Sequence, residues 1–196
     1  MEEKIIQTPD LDLLVNNAGF GAASKFHEGD PRKHYDMVQV HIAASVHLAR
    51  SALAGMLERR QGWIVNVASV AAFIPFGSVL YPSTKAFLVS FSQALQSEAH
   101  STGVHIQALC PGFTYTEFHD VNYMDRSIVP KFMWMSAKSV VSTSLKALPH
   151  GPVIVVPGLL YRLIVALARC PLISPIVQWV ATSRIFKRRF LHDQHP

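Results

Sequence analysis

Four short apolar runs limit the fold of this chain more than any other feature: "LDLLV" (11–15), "WIVNVAS" (63–69), "VHIQALCPG" (104–112) and "PVIVVPG" (152–158). Each is nearly continuous in apolar residues instead of alternating, the pattern of strands covered on both faces of a parallel sheet. Helical segments lie between them. In 30–62, Met37, Val38, Ile42, Val46, Ala49 and Leu53 recur at helical spacing, with Asp30 and Pro31 as cap and first position and Gly62 as the stop. Residues 81–103 and 136–148 supply two more helices. Strands alternating with helices predict an α/β fold built on a parallel sheet of about four strands, doubly wound, with flanking helices.

Composition narrows the function classes. At 196 residues and 49% hydrophobic the chain is one ordinary domain and too apolar for disorder. Cys110 and Cys170 give no disulfide framework, which predicts a reduced cytoplasmic protein. The ten histidines show no metal-ligand spacing, so no metal is expected. "MEEKIIQTPD" has acidic residues and no apolar centre, unlike a signal peptide. The net charge of +5 is uneven: residues 162–196 hold six of the eighteen basic residues and one of the thirteen acidic ones. A nucleic-acid-binding body would spread its basic residues over a face, so no nucleic acid is expected. Residues 159–190 are apolar with arginines, interrupted by Pro171 and Pro175, and read as amphipathic helices that cover the sheet or touch a membrane surface.

The chemistry gathers at the carboxyl ends of the runs, where doubly wound sheets bind ligands. "NNAG" (16–19) follows the first strand, and Ser69 ends the second. Tyr81 and Lys85 open the next helix twelve residues beyond Ser69, and "CPGFTYT" (110–116) ends the third strand. Tyr81 and Lys85, at i and i+4, share a helix face. A tyrosine with a pKa of about 10 is a poor acid/base at neutral pH. A cation about 4 Å away is worth on the order of 4 kcal/mol at an effective dielectric of 20, which predicts a lowered phenol pKa and a usable proton carrier.

Together these residues resemble the short-chain dehydrogenase/reductase family, bacterial-type subgroup, through "NNAGFG" (16–21), "YPSTKAF" (81–87), "ALCPGFTYTEF" (108–118) and "VVPG" (155–158). The resemblance runs from about Leu11 to Gly158. It implies a Rossmann-like sheet and a nicotinamide-dependent oxidoreductase interconverting carbonyls and alcohols, with NADP or NAD as cofactor. Tyr81 would be the general acid/base, and Lys85 would tune it and bind the nicotinamide ribose. Ser69 would hold the substrate oxygen. Asn16, Ala18 and Gly19 would line the cofactor cleft, and Pro111, Gly112 and Thr116 would flank the nicotinamide. The family's two long helices form a dimer interface, which predicts a homo-oligomer through 31–60 and 81–101.

Three departures stand out. The family's "VNxxA" reads "VHIAA" (40–44), so His41 either holds the relay water the asparagine would hold or packs as a polar residue. The loop from Ser69 to Tyr81 is one residue shorter, which alters the approach of Ser69. The glycine-rich phosphate-binding turn is absent, and the chain opens just before the family's fourth strand. Residues 1–158 therefore read as a truncated Rossmann-like domain and 159–196 as an apolar, basic helical extension. Cofactor binding weaker than millimolar and a bare edge at Leu11–Val15 are expected. The alternative reading is a catalytically impaired remnant or interaction module. Phe113, Tyr115, Phe118, Tyr123, Phe132, Met133, Trp134 and Met135 suit an apolar carbonyl or alcohol, or simply pack a lid.

Overall fold

A computed structural model of the chain describes residues 1–21, 26–74, 78–117 and 129–174. A four-stranded parallel sheet runs β1 (Leu13–Asn16), β2 (Gly62–Val67), β3 (Val104–Leu109) and a last strand Ile154–Val155. The Rossmann-like parallel α/β fold is as the apolar runs predict. The fourth strand is only two residues long, shorter than "PVIVVPG" suggested, because pairing with β3 covers only Ala108 and Leu109.

A short helix α1 (Glu2–Ile6), unanticipated in the sequence, lies against the long helix α2 (Pro31–Arg59). Asp30 caps α2 by accepting a hydrogen bond from the Arg32 N–H, with Pro31 in the first turn, where its missing N–H costs nothing. Met37, His41, Ser45, Ala49, Ala52 and Met56 form its buried stripe. Length and composition alone would let α2 cross a membrane, yet this stripe lies against protein. Helix α3 (Leu80–Glu98) carries Pro82 in its first turn and buries Thr84, Lys85, Leu88, Val89 and Ser92.

Alternation along β2 divides its side chains between the two faces of the sheet. Ile64 and Ile106 join Ala49, Ala52 and Met56 in a core under α2 and α3. Val65 and Leu109 join Val140 and Val155 in a second core under α4 (Ala137–Ala147). Burying each of the Val, Leu, Ile and Met side chains among these stabilises the fold by about 1.5–3 kcal/mol relative to exposure.

A two-stranded parallel sheet, β4 (Thr114–Tyr115) with β5 (Met135–Ser136), ties together the ends of the segment that follows β3. Phe118 and Tyr123 lie outside the described residues. The last strand of the main sheet is β6 (Ile154–Val155). It leads into α5 (Leu159–Arg169), whose Tyr161 and Val165 enter a third core with Leu88, Val89, Cys110 and Val156. This first helix of the C-terminal extension covers the sheet with its buried side. Leu159, Leu163 and Leu167 on its other side are exposed. Residues 175–196 lie outside the described part.

Candidate active site

All parallel strands end at one edge, so Asn16, Val67 and Leu109 bring their following loops together there. Asn16 and Asn66 are register partners on β1 and β2. Asn16 Nδ2 donates to Asn66 Oδ1 at 2.8 Å and to the Ser45 carbonyl of α2 at 3.3 Å. Asn66 Nδ2 donates to Ser92 Oγ at 2.9 Å, and Ser92 donates to the Leu88 carbonyl at 2.7 Å. This buried relay ties both helices to both strands, and buried amides must find such partners to be tolerated. Asn16 Oδ1 is buried with no hydrogen-bond partner among the described residues. Sequence reasoning gave Asn16 a cleft-lining role and passed over Asn66 and Ser92; the pairing of "NN" with "NV" at two strand ends was the available signal.

Tyr81 and Lys85 sit one turn apart at the start of α3, as the i, i+4 spacing requires. Lys85 is buried and its Nζ donates to the Val67 carbonyl at 2.8 Å, which fixes the ammonium at the end of β2. The same Nζ lies 5.7 Å from the Tyr81 ring centroid. Burial lowers the Lys85 pKa to about 8, partly opposed by the nearby Cys110. Burial pushes the Tyr81 phenol above its ordinary value, opposed by a hydrogen bond between the Ser69 and Tyr81 side chains. The expectation of a lowered phenol pKa is therefore corrected. Desolvation of the anion outweighs the hydrogen bond from Ser69, the one opposing influence on the phenol.

Ser69 reaches Tyr81 with its side chain. Its Oγ also accepts the Ala71 N–H at 3.1 Å, capping a 3₁₀ turn at Val70–Ala72. Pro111 lies beside it, its carbonyl accepting the Val70 N–H at 3.0 Å.

His41 lies in a π turn, Gln39–Ala43, within α2, a local widening found often at functional sites. The imidazole is fully buried. Its Nε2 accepts the Phe20 N–H at 3.0 Å, and its Nδ1 is 2.8 Å from Thr84 Oγ1. Burial and the Lys85 cation lower its pKa to about 3, so the ring is neutral. Thr84, missed in the sequence, is the partner that joins His41 to α3.

Gly19 lies directly on these groups. A Cβ there would stand 2.9 Å from His41 Nε2 and 3.5 Å from Lys85 Nζ, so the loop can approach only without a side chain. Asn17 and Ala18 are exposed. Gly112 has a different reason. A Cβ would come within 2.1 Å of the Tyr161 ring, whose hydroxyl donates to the Met133 carbonyl at 2.6 Å and accepts the Phe113 N–H at 3.1 Å. The glycine expected beside a nicotinamide makes room for an aromatic ring of α5. Thr116 is exposed just beyond β4. Trp134 stacks on Tyr115 at 4.8 Å and leans on Phe113 at 5.6 Å, so part of the bulky segment is an aromatic cluster.

Comparison with known proteins identifies the family and its fold. The chain is 38% identical over 111 residues to a serine 3-dehydrogenase of Rhizobium radiobacter, covering 56% of this chain and 44% of that one. It is 33% identical over 130 residues to an NADP-dependent 3-hydroxy acid dehydrogenase of Escherichia coli, covering 63% and 52%. The chain thus spans about half the length of the curated relatives it matches. A short-chain dehydrogenase from Sphingobium yanoikuyae, solved in complex with NADPH, superimposes with a TM-score of 0.76 at 27% identity, covering 81% of this chain and 61% of that one. The family model for short chain dehydrogenase matches residues 1–126. This chain belongs to the short-chain dehydrogenase family.

Proposed function

We propose that the chain is the proton-handling, nicotinamide-side part of an NAD(P)-dependent oxidoreductase that interconverts a carbonyl and an alcohol. The observation that carries this reading is the buried Lys85, held at the end of β2 by the Val67 carbonyl, beside a Tyr81 that is hydrogen-bonded to Ser69.

The residues present fit one part of the cofactor. Lys85 Nζ and the Tyr81 hydroxyl offer donors suited to ribose hydroxyls, and the bare Gly19 keeps the loop flat against them. When bound, the nicotinamide supplies the hydride. The pyrophosphate side calls for a glycine-rich turn opening a helix, and the sequence from Met1 onward contains none after a strand. Relatives named for NADP and a neighbour solved with NADPH support NADP or NAD without choosing for this chain.

Tyr81 keeps its proton at neutral pH because burial raises its pKa. It is thus poised to donate to the oxygen of a carbonyl being reduced, and Lys85 lies close enough to stabilise the phenolate left behind. Ser69 orients the reacting oxygen. In the alcohol-oxidising direction Tyr81 must first lose its proton, so that direction speeds up as pH rises. The aromatic cluster of Phe113, Tyr115 and Trp134 favours an apolar substrate. Half-buried Phe87 and Phe91, stacked at 5.7 Å on α3, favour a homo-oligomer through α2 and α3, which sedimentation at micromolar concentration checks. Cys110 and Cys170 are free thiols, in keeping with a cytoplasmic setting.

Tyr81→Phe tests the assignment. It should lower NADPH-dependent carbonyl reduction, in this chain or in a version carrying a glycine-rich half, by about 100-fold or more. A variant keeping over half the activity sinks it. NADPH fluorescence titration of the 196-residue chain should give binding weaker than about millimolar. Saturation at low micromolar concentration would show that a complete dinucleotide site is present.

A further inference from the structure

We infer that His41 is a positioning residue, its imidazole fixed as the Nδ1–H tautomer so that it ties the Phe20 amide to the first turn of α3, and that it carries no proton in catalysis. This rests on the proposed role of Tyr81 only for what is positioned; the tautomer itself follows from hydrogen-bond directions.

A backbone N–H can only donate, so the Phe20 N–H at 3.0 Å requires an unprotonated Nε2. A neutral ring then has its proton on Nδ1, facing Thr84 Oγ1 at 2.8 Å. Thr84 Oγ1 is 2.9 Å from the Tyr81 carbonyl, which can only accept, so the threonine proton points there. The chain of directions is closed from end to end: Nδ1–H to Thr84 Oγ1, and Thr84 O–H to the Tyr81 carbonyl. Each ring nitrogen makes one hydrogen bond, and both are committed.

A relay water on this ring would have to displace either the Phe20 amide or Thr84. A second proton on the ring would break the Phe20 bond and put a cation beside Lys85, which already acts to keep the ring neutral. Among the described residues, the titratable groups facing His41 are Lys85, which is charged, and Tyr81, edge-on with centroids 5.9 Å apart. The π turn sets His41 between the two segments that meet here, the loop after β1 and the start of α3. A shorter amide in its place would have to span the same gap with less reach. The imidazole therefore does in this chain a job of spacing: it sets how far the Gly19–Phe20 backbone stands from Lys85 and Tyr81.

The test is long-range nitrogen-15 spectroscopy of the chain labelled at histidine, with amide exchange read at Phe20. His41 should show a pyrrole-type Nδ1 and a pyridine-type Nε2, unchanged between about pH 5 and about pH 8. His41→Ala should speed Phe20 amide exchange on the order of tenfold, and His41→Gln, which keeps one acceptor and one donor, should restore part of the protection. A proton on Nε2, or titration of His41 near its ordinary 6.5, overturns the proposal. So does Phe20 exchange that is unchanged in a folded His41→Ala variant. Should His41→Ala fail to fold, the resonances of the unsubstituted chain still decide. None of these readouts needs cofactor or turnover, so they stand apart from the test of Tyr81.

Discussion

An inner strand and an edge strand of the main sheet, β3 and β1, are both built from apolar runs and have different surroundings. In β3, Ile106, Gln107, Ala108 and Leu109 are all buried; the strand pairs on both sides and is covered by α3 on one face and α4 on the other. In β1, among the described residues, the strand pairs only with β2. Leu13 and Leu14 are half-buried and Val15 is 49% exposed. Trp63, register partner of Leu13, has a buried Nε1 with no hydrogen-bond partner in the described structure. An apolar run thus states the environment a strand is suited to; neighbouring elements decide whether it gets that environment. An apolar parallel edge of this kind invites pairing.

The largest effect should come from the crowded loop that follows β3. Gly112→Ala places a methyl within 2.1 Å of the Tyr161 ring, so a loss of about 4 kcal/mol or more, or failure to fold, is expected. A thermal melt reads it, and Tyr161→Ala in the same chain should relieve part of the strain. Melting like the unsubstituted protein would mean that α5 does not seat Tyr161 on this loop.

The two strands can then be compared directly by one kind of truncation. Ile106→Ala in β3 should cost about 2–5 kcal/mol, whereas Val15→Ala in β1 should change stability by less than about 0.5 kcal/mol. Urea unfolding gives both values. Equal costs would show that β1 is covered in solution, by a second copy or another chain.

Between these two magnitudes lies an effect of pH. His41 has a folded pKa of about 3 against 6.5 for the unperturbed ring. Its contribution is fully present above pH 6.5 and is lost as pH falls toward 3, because below 6.5 only the unfolded chain takes up the proton. From neutral pH to about pH 5 the loss should be on the order of 2 kcal/mol. His41→Gln should flatten the slope; an unchanged slope would assign it to other groups.

Much of this was legible in the residues themselves. The four apolar runs and the helical spacing between them specified a parallel α/β sheet because burial on both faces excludes polar side chains from a strand. Tyr81, Lys85 and Ser69 could be singled out as candidates because i, i+4 spacing and strand ends are local properties. Only the folded chain decided the rest. The phenol pKa moved up because burial, which no spacing reports, outweighed the hydrogen bond from Ser69. Gly112 was placed by Tyr161, 49 residues downstream in the chain. Thr84 and the Phe20 amide became partners of His41 because a π turn, a loop and a helix start converge. Hydrogen-bond capacity is written in each residue, but which donor meets which acceptor depends on distances that only tertiary packing sets.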